Sequence, residues 1–263
     1  MKNKIYLVLI SLLFVQCSDD DNGPKGYFPK QISITTRDVP EITTELNLTY
    51  TNNNLISKIE FVYLGTFAIN VNRFKEIHLN YTSNNDLSEI RTVNLGGDET
   101  VTIISHDDFG VVTKMEFKSD QSAISITSDF NAQNNSYQLN GSSAIFPIEF
   151  YFDHNDKIHS IGGSSIDNRF FNFNEQEKGI YQNLKQQPEL IMWSEIFDFG
   201  QLNIYLNYLA TSKLEKITSQ WLYHRIFVNF ELDNNENIIK FSSEVNGEEN
   251  EWLYTISYEE RNL

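Results

Sequence analysis

From Gln31 onward the chain alternates apolar and polar residues over short runs that are broken by clusters of Asn, Asp and Gly. A period of two marks strands with one buried face and one wet face, and the polar breaks are where such strands reverse. Leu46, Leu48 and Tyr50 alternate, residues 51–54 turn, and Leu55, Ile59 and Phe61 return. Ile77, Leu79 and Tyr81 lead through residues 82–86 to Leu87 and Ile90, and Val101 and Ile103 lead through 106–110 to Val112, Met115 and Phe117. Later copies are Ile148, Phe150 and Phe152 with Ile158 and Ile161, then Val228, Phe230 and Leu232 with Ile239 and Phe241. Trp252, Tyr254, Ile256 and Tyr258 make a last strand. The spacing of the copies is too uneven for a solenoid or propeller, whose stacked units need a nearly fixed length. The expected fold is therefore all-β: an antiparallel hairpin meander, either a curled sheet or an up-and-down barrel, since closure protects strand edges. Periodicity alone leaves a sandwich open as well.

One stretch breaks this rhythm. Residues 174–200 run through Glu175, Gln176, Glu177 and Lys178 to Pro188, Glu189, Leu190, Ile191, Met192, Trp193, Ser194, Glu195 and Ile196 before Gly200. Pro188 suits a first helical turn, Glu189 the positive end of a helix and Gly200 a position just past its end, so one short helical or irregular insertion is predicted here. Function is expected near it.

The amino terminus differs from everything that follows. Lys2 and Lys4 precede an uncharged apolar run at residues 5–15, the layout of a secretory signal. A helix of that length reaches only about 16 Å, roughly half the hydrocarbon core, so a permanent span is not expected. Cys17 follows at once and is the only cysteine in the chain. A disulfide framework needs several, whereas one cysteine at the signal boundary has another use. The arrangement resembles a bacterial lipoprotein signal, although Gln16 stands where a small residue is usual. The resemblance implies that Cys17 carries the lipid and becomes the first mature residue. The acidic run behind it (Ser18, Asp19, Asp20, Asp21) resembles a surface-export signal of Bacteroidetes lipoproteins, implying an outer-membrane anchor with the domain at the cell surface; the periplasmic side is the alternative. The expected organisation is a signal at 1–16, a lipid-anchored flexible linker at 17–29 rich in Gly and Pro, and a single all-β domain at 30–263. A linker of this kind has a reach of roughly 20 Å.

Net charge is −16, and loss of Lys2 and Lys4 with the signal makes it more negative. That balance repels phosphate backbones and anionic lipid heads, which argues against nucleic-acid partners and against membrane binding through a basic patch. The lipid on Cys17 is left as the membrane contact.

In units such as residues 46–61 (LNLTYTNNNLISKIEF) and 77–90 (IHLNYTSNNDLSEI), and in Lys178, Gly179, Ile180, Tyr181, Gln182, Asn183 and Leu184 after Phe173, the chain resembles a family of Bacteroidetes lipoproteins of unknown function. These have tyrosine-rich hairpin repeats and a porin-like or barrel-like β fold. The resemblance spans most of residues 40–260 in pattern, implies a barrel, and brings no catalytic residues with it.

Catalytic chemistry is thin. His78, His106, His154, His159 and His224 fall in different hairpins, with no second cysteine for a soft-metal site. Asp233, Asn235 and Asn237 imitate the opening of a calcium loop, yet Ile238 stands where that loop needs glycine, so a hairpin turn is expected. Gly162, Gly163, Ser164 and Ser165 are no nucleophile elbow, and Gly96 and Gly97, like Gly162 and Gly163, read as turns. No cofactor is expected. The leading reading is a surface-exposed binding or scaffold module, for glycans or as an accessory to an outer-membrane complex. Trp193, Trp221 and Trp252 are the candidate sugar platforms, each set against ordinary core packing. The alternatives are a polysaccharide hydrolase using acids such as Glu175, Glu189 or Glu195, and a barrel holding a small apolar ligand in its lumen.

Overall fold

The computed structural model describes residues 23–36, 43–65, 73–119, 123–143, 145–163, 167–197, 201–220, 224–246 and 248–263. Cys17 and Trp221 lie outside the described residues. Sixteen strands follow one another in the chain: β1 (Lys25–Thr36), β2 (Thr43–Tyr50), β3 (Ile56–Leu64), β4 (Phe74–Tyr81), β5 (Leu87–Asn94), β6 (Glu99–His106), β7 (Val112–Lys118), β8 (Ala123–Asn131), β9 (Ser136–Asn140), β10 (Ile148–Phe152), β11 (Ile158–Gly163), β12 (Arg169–Lys178), β13 (Ser212–Ser219), β14 (His224–Leu232), β15 (Ile238–Val245) and β16 (Glu248–Asn262). Each pairs antiparallel with its neighbours in sequence, and β1 closes on β16 from Lys25 against Asn262 to Thr36 against Trp252, giving an up-and-down barrel. Closure leaves no strand edge unpaired, which settles the choice between curled sheet, sandwich and barrel. β1 begins at Lys25, inside the stretch expected to be linker.

Alternation sorts the side chains to the two sides of the wall. Leu46, Leu48, Ile59, Phe61, Ile77, Leu79 and Ile90 are buried inside. The outward positions between them form in-register rows: Asn47, Glu60 and Glu76 oppose one another across β2–β4, and Lys58, His78 and Arg91 across β3–β5. Lys58 and His78 both contact Glu76, at 3.3 and 2.9 Å, while Arg91 reaches Glu89 and Glu99. This is the reverse of a membrane-spanning barrel, whose outer wall is an apolar band and whose interior is polar.

A sixteen-strand wall is too wide for its own side chains to fill. The space is taken by the connection between β12 and β13, which carries helix α1 (Pro188–Phe197), helix α2 (Gln201–Tyr205) and a 3-10 turn (Asn207–Leu209). Leu190, Ile191, Met192, Trp193, Ser194, Glu195 and Ile196 are all buried, so α1 is covered on every side and runs inside the barrel. Pro188 opens the helix as predicted. The insertion is longer than the sequence suggested, and Glu175 to Lys178 belong to β12.

Candidate functional site

The insertion meets the wall through specific contacts. It enters at the end of the barrel that holds the tight turns, where Gln182 donates to Asn237 (2.6 Å), Gln187 to the Tyr81 hydroxyl (2.8 Å), and Glu189 lies 3.5 Å from His106. Deeper in, the Trp193 indole N–H donates to Thr102 Oγ1 (2.9 Å), and the rings of Phe61, Phe74, Trp193, Phe197 and Phe117 form a continuous series with centroids 4.8–6.2 Å apart. Arg169 on β12 makes a two-armed ion pair with Glu195 and also donates to the Tyr208 hydroxyl. Asn203 donates to Glu195 and to the Ile191 carbonyl. The insertion is thus fastened as part of the core.

These contacts decide several of the sequence-level candidates. Trp193 is 1 % exposed with its N–H engaged, so it packs the interior and offers no face to a sugar. Trp252 is half-buried, with the Arg225 guanidinium 4.6 Å from its ring centroid and Tyr205 edge-on at 5.8 Å; its ring is a packing partner too. Glu175, Glu189 and Glu195 do not form a catalytic pair: Glu175 bonds Lys157 and Ser212, Glu189 faces His106, and Glu195 is held by Arg169. The insertion takes up the part of the lumen where α1 packs against Thr102 and Phe74, which narrows the space a small apolar ligand could use. Among the described residues no three His, Cys, Asp or Glu side chains are placed to hold a metal ion. Asp233 Oδ1 accepts the backbone N–H groups of Asn235 and Asn237, which closes the β14–β15 hairpin as expected.

Among the described residues, solvent-open hollows lie on the outer wall. Between β10 and β12 a groove of about 460 Å3 is lined by Pro147, Glu149, Tyr151, Ser160, Ile161, Gly162, Gly163, Asn168 and Phe170. On β11 it is bordered by Ser160, Ile161, Gly162 and Gly163, three of them short, which leaves a furrow between the longer side chains of the neighbouring strands. Tyr151 donates to Glu149 Oε2 (2.5 Å), and that hydrogen bond, aided by desolvation, pushes the Tyr151 phenol up. The phenol therefore stays the donor of this bond. Asn168 accepts from the Gly163 N–H (3.2 Å) and donates to Gln220 (2.7 Å); a Cβ on Gly162 would come within 2.8 Å of it. Phe170 is 49 % exposed on the other bank, next to the buried Phe171.

A smaller hollow of about 190 Å3 shares Glu149 and Tyr151 and continues over Asp129, Asn131, Asn134, Ser136 and Gln138. Register explains the continuity: Asp129, Gln138, Glu149 and Gly162 oppose one another across β8–β11, and Ser136, Tyr151, Ser160 and Phe170 across β9–β12. A further hollow of about 430 Å3 lies beside it, around His159, Asn172 and the Lys157–Glu175 pair. The sequence analysis missed this site. Its one legible signal was the pair Gly162 and Gly163 inside a strand, a mark of a bulge or of close approach, which was read as a turn.

The chain matches no protein-family model and no curated protein. Among solved structures it is similar to a porin-like protein from Bacteroides uniformis, with a TM-score of 0.54 at 12 % identity over 88 % of this chain and 98 % of that one. A porin-like protein from Bacteroides vulgatus aligns over 89 % of this chain and 99 % of that one, with a TM-score of 0.43 at 10 % identity. The first of these likenesses carries the barrel fold.

Proposed function

We propose that the chain is a lipoprotein anchored through Cys17 in the outer membrane, displaying at the cell surface a plugged barrel that works as a binding or scaffold module through its outer wall. The observation that carries this reading is the interior insertion: α1 is buried along its length and packs against the inner side chains of the wall, so the outer wall is the face left for ligands and partners. The polar outer rows support a barrel that stands in water. Its geometry suits an anchor as well, since β1 starts, β16 ends and the insertion enters at the same end, where Asn54 Nδ2 donates to the Asn262 carbonyl (2.7 Å). A lipid anchor behind residue 17 would hold the barrel by that end, with the outer wall free for a glycan or an outer-membrane partner.

The test has two arms. Purified full-length protein added to planar lipid bilayers is expected to give no stepwise conductance under conditions where a general porin conducts; steady channel openings would overturn the reading. In cells, radiolabelled palmitate should enter the wild-type protein and not Cys17→Ala, and protease added to intact cells should digest the protein. Equal labelling of both forms, or full protection, would remove the anchor or the surface placement.

A further inference from the structure

The groove on β10–β12 differs in kind from the rest of the outer wall. Across β3–β7 the outward rows are built from opposed ions, including Lys58, Glu76, Arg91 and Glu116. Neither the groove nor the smaller hollow joined to it has a Lys or Arg among its lining residues. In their place stand amides, hydroxyls, two carboxylates and a half-exposed aromatic ring. A bank that mixes one apolar face with acceptors and donors of fixed orientation suits a ligand that has both an apolar face and many hydroxyl groups, and the groove has the size of an ordinary ligand site.

We infer that this furrow is a binding site for a neutral oligosaccharide, one sugar ring stacked on Phe170 and its hydroxyl groups bonded to Glu149, Asn168 and, further along, Gln138. The inference rests on the outer-wall binding reading above and gives it a ligand class. Three features set the class. The exposed ring offers a flat apolar surface to the C–H face of a pyranose. Glu149 lines the furrow with its carboxylate bonded by the Tyr151 hydroxyl, and no Lys or Arg lines the furrow beside it. The surroundings are acidic, with a net charge of −16 for the chain, so uronate, sulfate and phosphate groups are repelled. The run of register-matched polar positions from Asp129 to Phe170 crosses β8–β12, which gives the site the shape of a track for several linked units.

Full-length protein in detergent is titrated calorimetrically with neutral hexasaccharides (malto-, xylo-, manno- and cello-series) and with anionic controls (a galacturonate hexamer and a heparin-derived hexasaccharide). At least one neutral series should bind saturably, and the anionic controls should bind more weakly than it does. Phe170→Ala should weaken that binding about tenfold or more, as truncation of a central aromatic contact does. Glu149→Gln should weaken it as well, while Arg91→Ala, on the ionic part of the wall, should leave it unchanged. Preferred binding of the anionic ligands, neutral binding that ignores Phe170→Ala, or the absence of saturable binding by every neutral series would overturn the site. The outer-wall module reading falls separately, through bilayer conductance, so the two failures are told apart.

Discussion

The interior of the barrel turns on residues whose polarity runs against their position. Thr102 sits in the core, 1 % exposed, because the Trp193 indole N–H has to find an acceptor there. Removing the ring and its hydrogen bond together in Trp193→Ala should cost about 3–5 kcal/mol, the range for deleting a large buried aromatic. Thr102→Val keeps the volume and leaves the indole N–H unsatisfied, at about 1–3 kcal/mol. Urea midpoints at constant slope would show both losses, and a small effect for Trp193→Ala would mean that α1 does not pack in the lumen. Tyrosines at strand ends use a related device: their rings pack inward while Tyr50, Tyr81 and Tyr258 donate to the carbonyls of Pro29, Ile56 and Ile238 on the neighbouring strand. Burial holds the Tyr81, Tyr254 and Tyr258 phenols above their ordinary value. A phenol that ionises later in the folded chain than in the unfolded one adds stability below the unfolded value of about 10, and that contribution is lost as pH rises further. The urea midpoint should therefore fall steeply above about pH 10, and Tyr81→Phe should fall less steeply than wild type; parallel profiles would contradict this role for Tyr81.

Hairpins at one end of the barrel repeat a single construction. Thr51, Thr82, Asp107, Asp153 and Asp233 each accept, through a side-chain oxygen, the N–H groups two and four residues later. The residue three positions on takes a left-handed conformation: Asn54, Asn85, Gly110, Asp156 and Glu236. The first four are types that accept positive φ, and Glu236, at φ 64°, is not. Glu236→Gly should stabilise by about 0.5–1 kcal/mol, and Asp233→Ala should destabilise by about 1 kcal/mol through the lost loop bonds. Thermal unfolding of the two variants should move in opposite directions; a gain from Asp233→Ala would sink this account of the turn. These hairpins were legible because side-chain chemistry and backbone angle agree locally. The faces of β6 and β14 were not. In β6 the sequence favoured Val101 and Ile103 as the buried pair, yet both faces are apolar there and the structure turns Thr102 and Ile104 inward. In β14 a bulge at Asn229, which has φ 57°, shifts the register between Val228 and Glu231, so Phe227 is buried while Leu232 is exposed. The insertion was announced by Pro188, but its place inside the barrel was hidden, because a short, mainly apolar helix does not say which cavity it fills. Gly179 marks where it leaves the wall. A Cβ there would come within 2.2 Å of the Ala210 carbonyl, so close approach is what requires glycine at this position.

At the scale of the whole molecule, the inner and outer faces of one wall decide what kind of barrel this is. A water-filled sixteen-strand channel in a membrane needs a polar lumen and an apolar belt, and both are inverted here. Strand alternation announces two faces but not which side is the interior, since that depends on closure between β1 and β16, the most distant strands in the chain. Once closed, the barrel places Lys58, His78 and Arg91 on one outward row and Glu60 and Glu76 on the next, near the middle of their strands. Each Lys or Arg brought to the bilayer midplane would cost about 2–4 kcal/mol, and several would have to enter together. Nothing on that wall offsets such a cost. The barrel itself should therefore remain in water, and on the reading proposed above a lipid at Cys17 would be its hold on the membrane. A secreted form beginning at Ser18 should partition into the aqueous phase of a cloud-point detergent extraction, while the full-length lipidated protein enters the detergent phase. If the Ser18 form followed the detergent, the wall would have an affinity for lipid that its charged rows do not explain, and the reading of this barrel as a solvent-facing module would have to be abandoned.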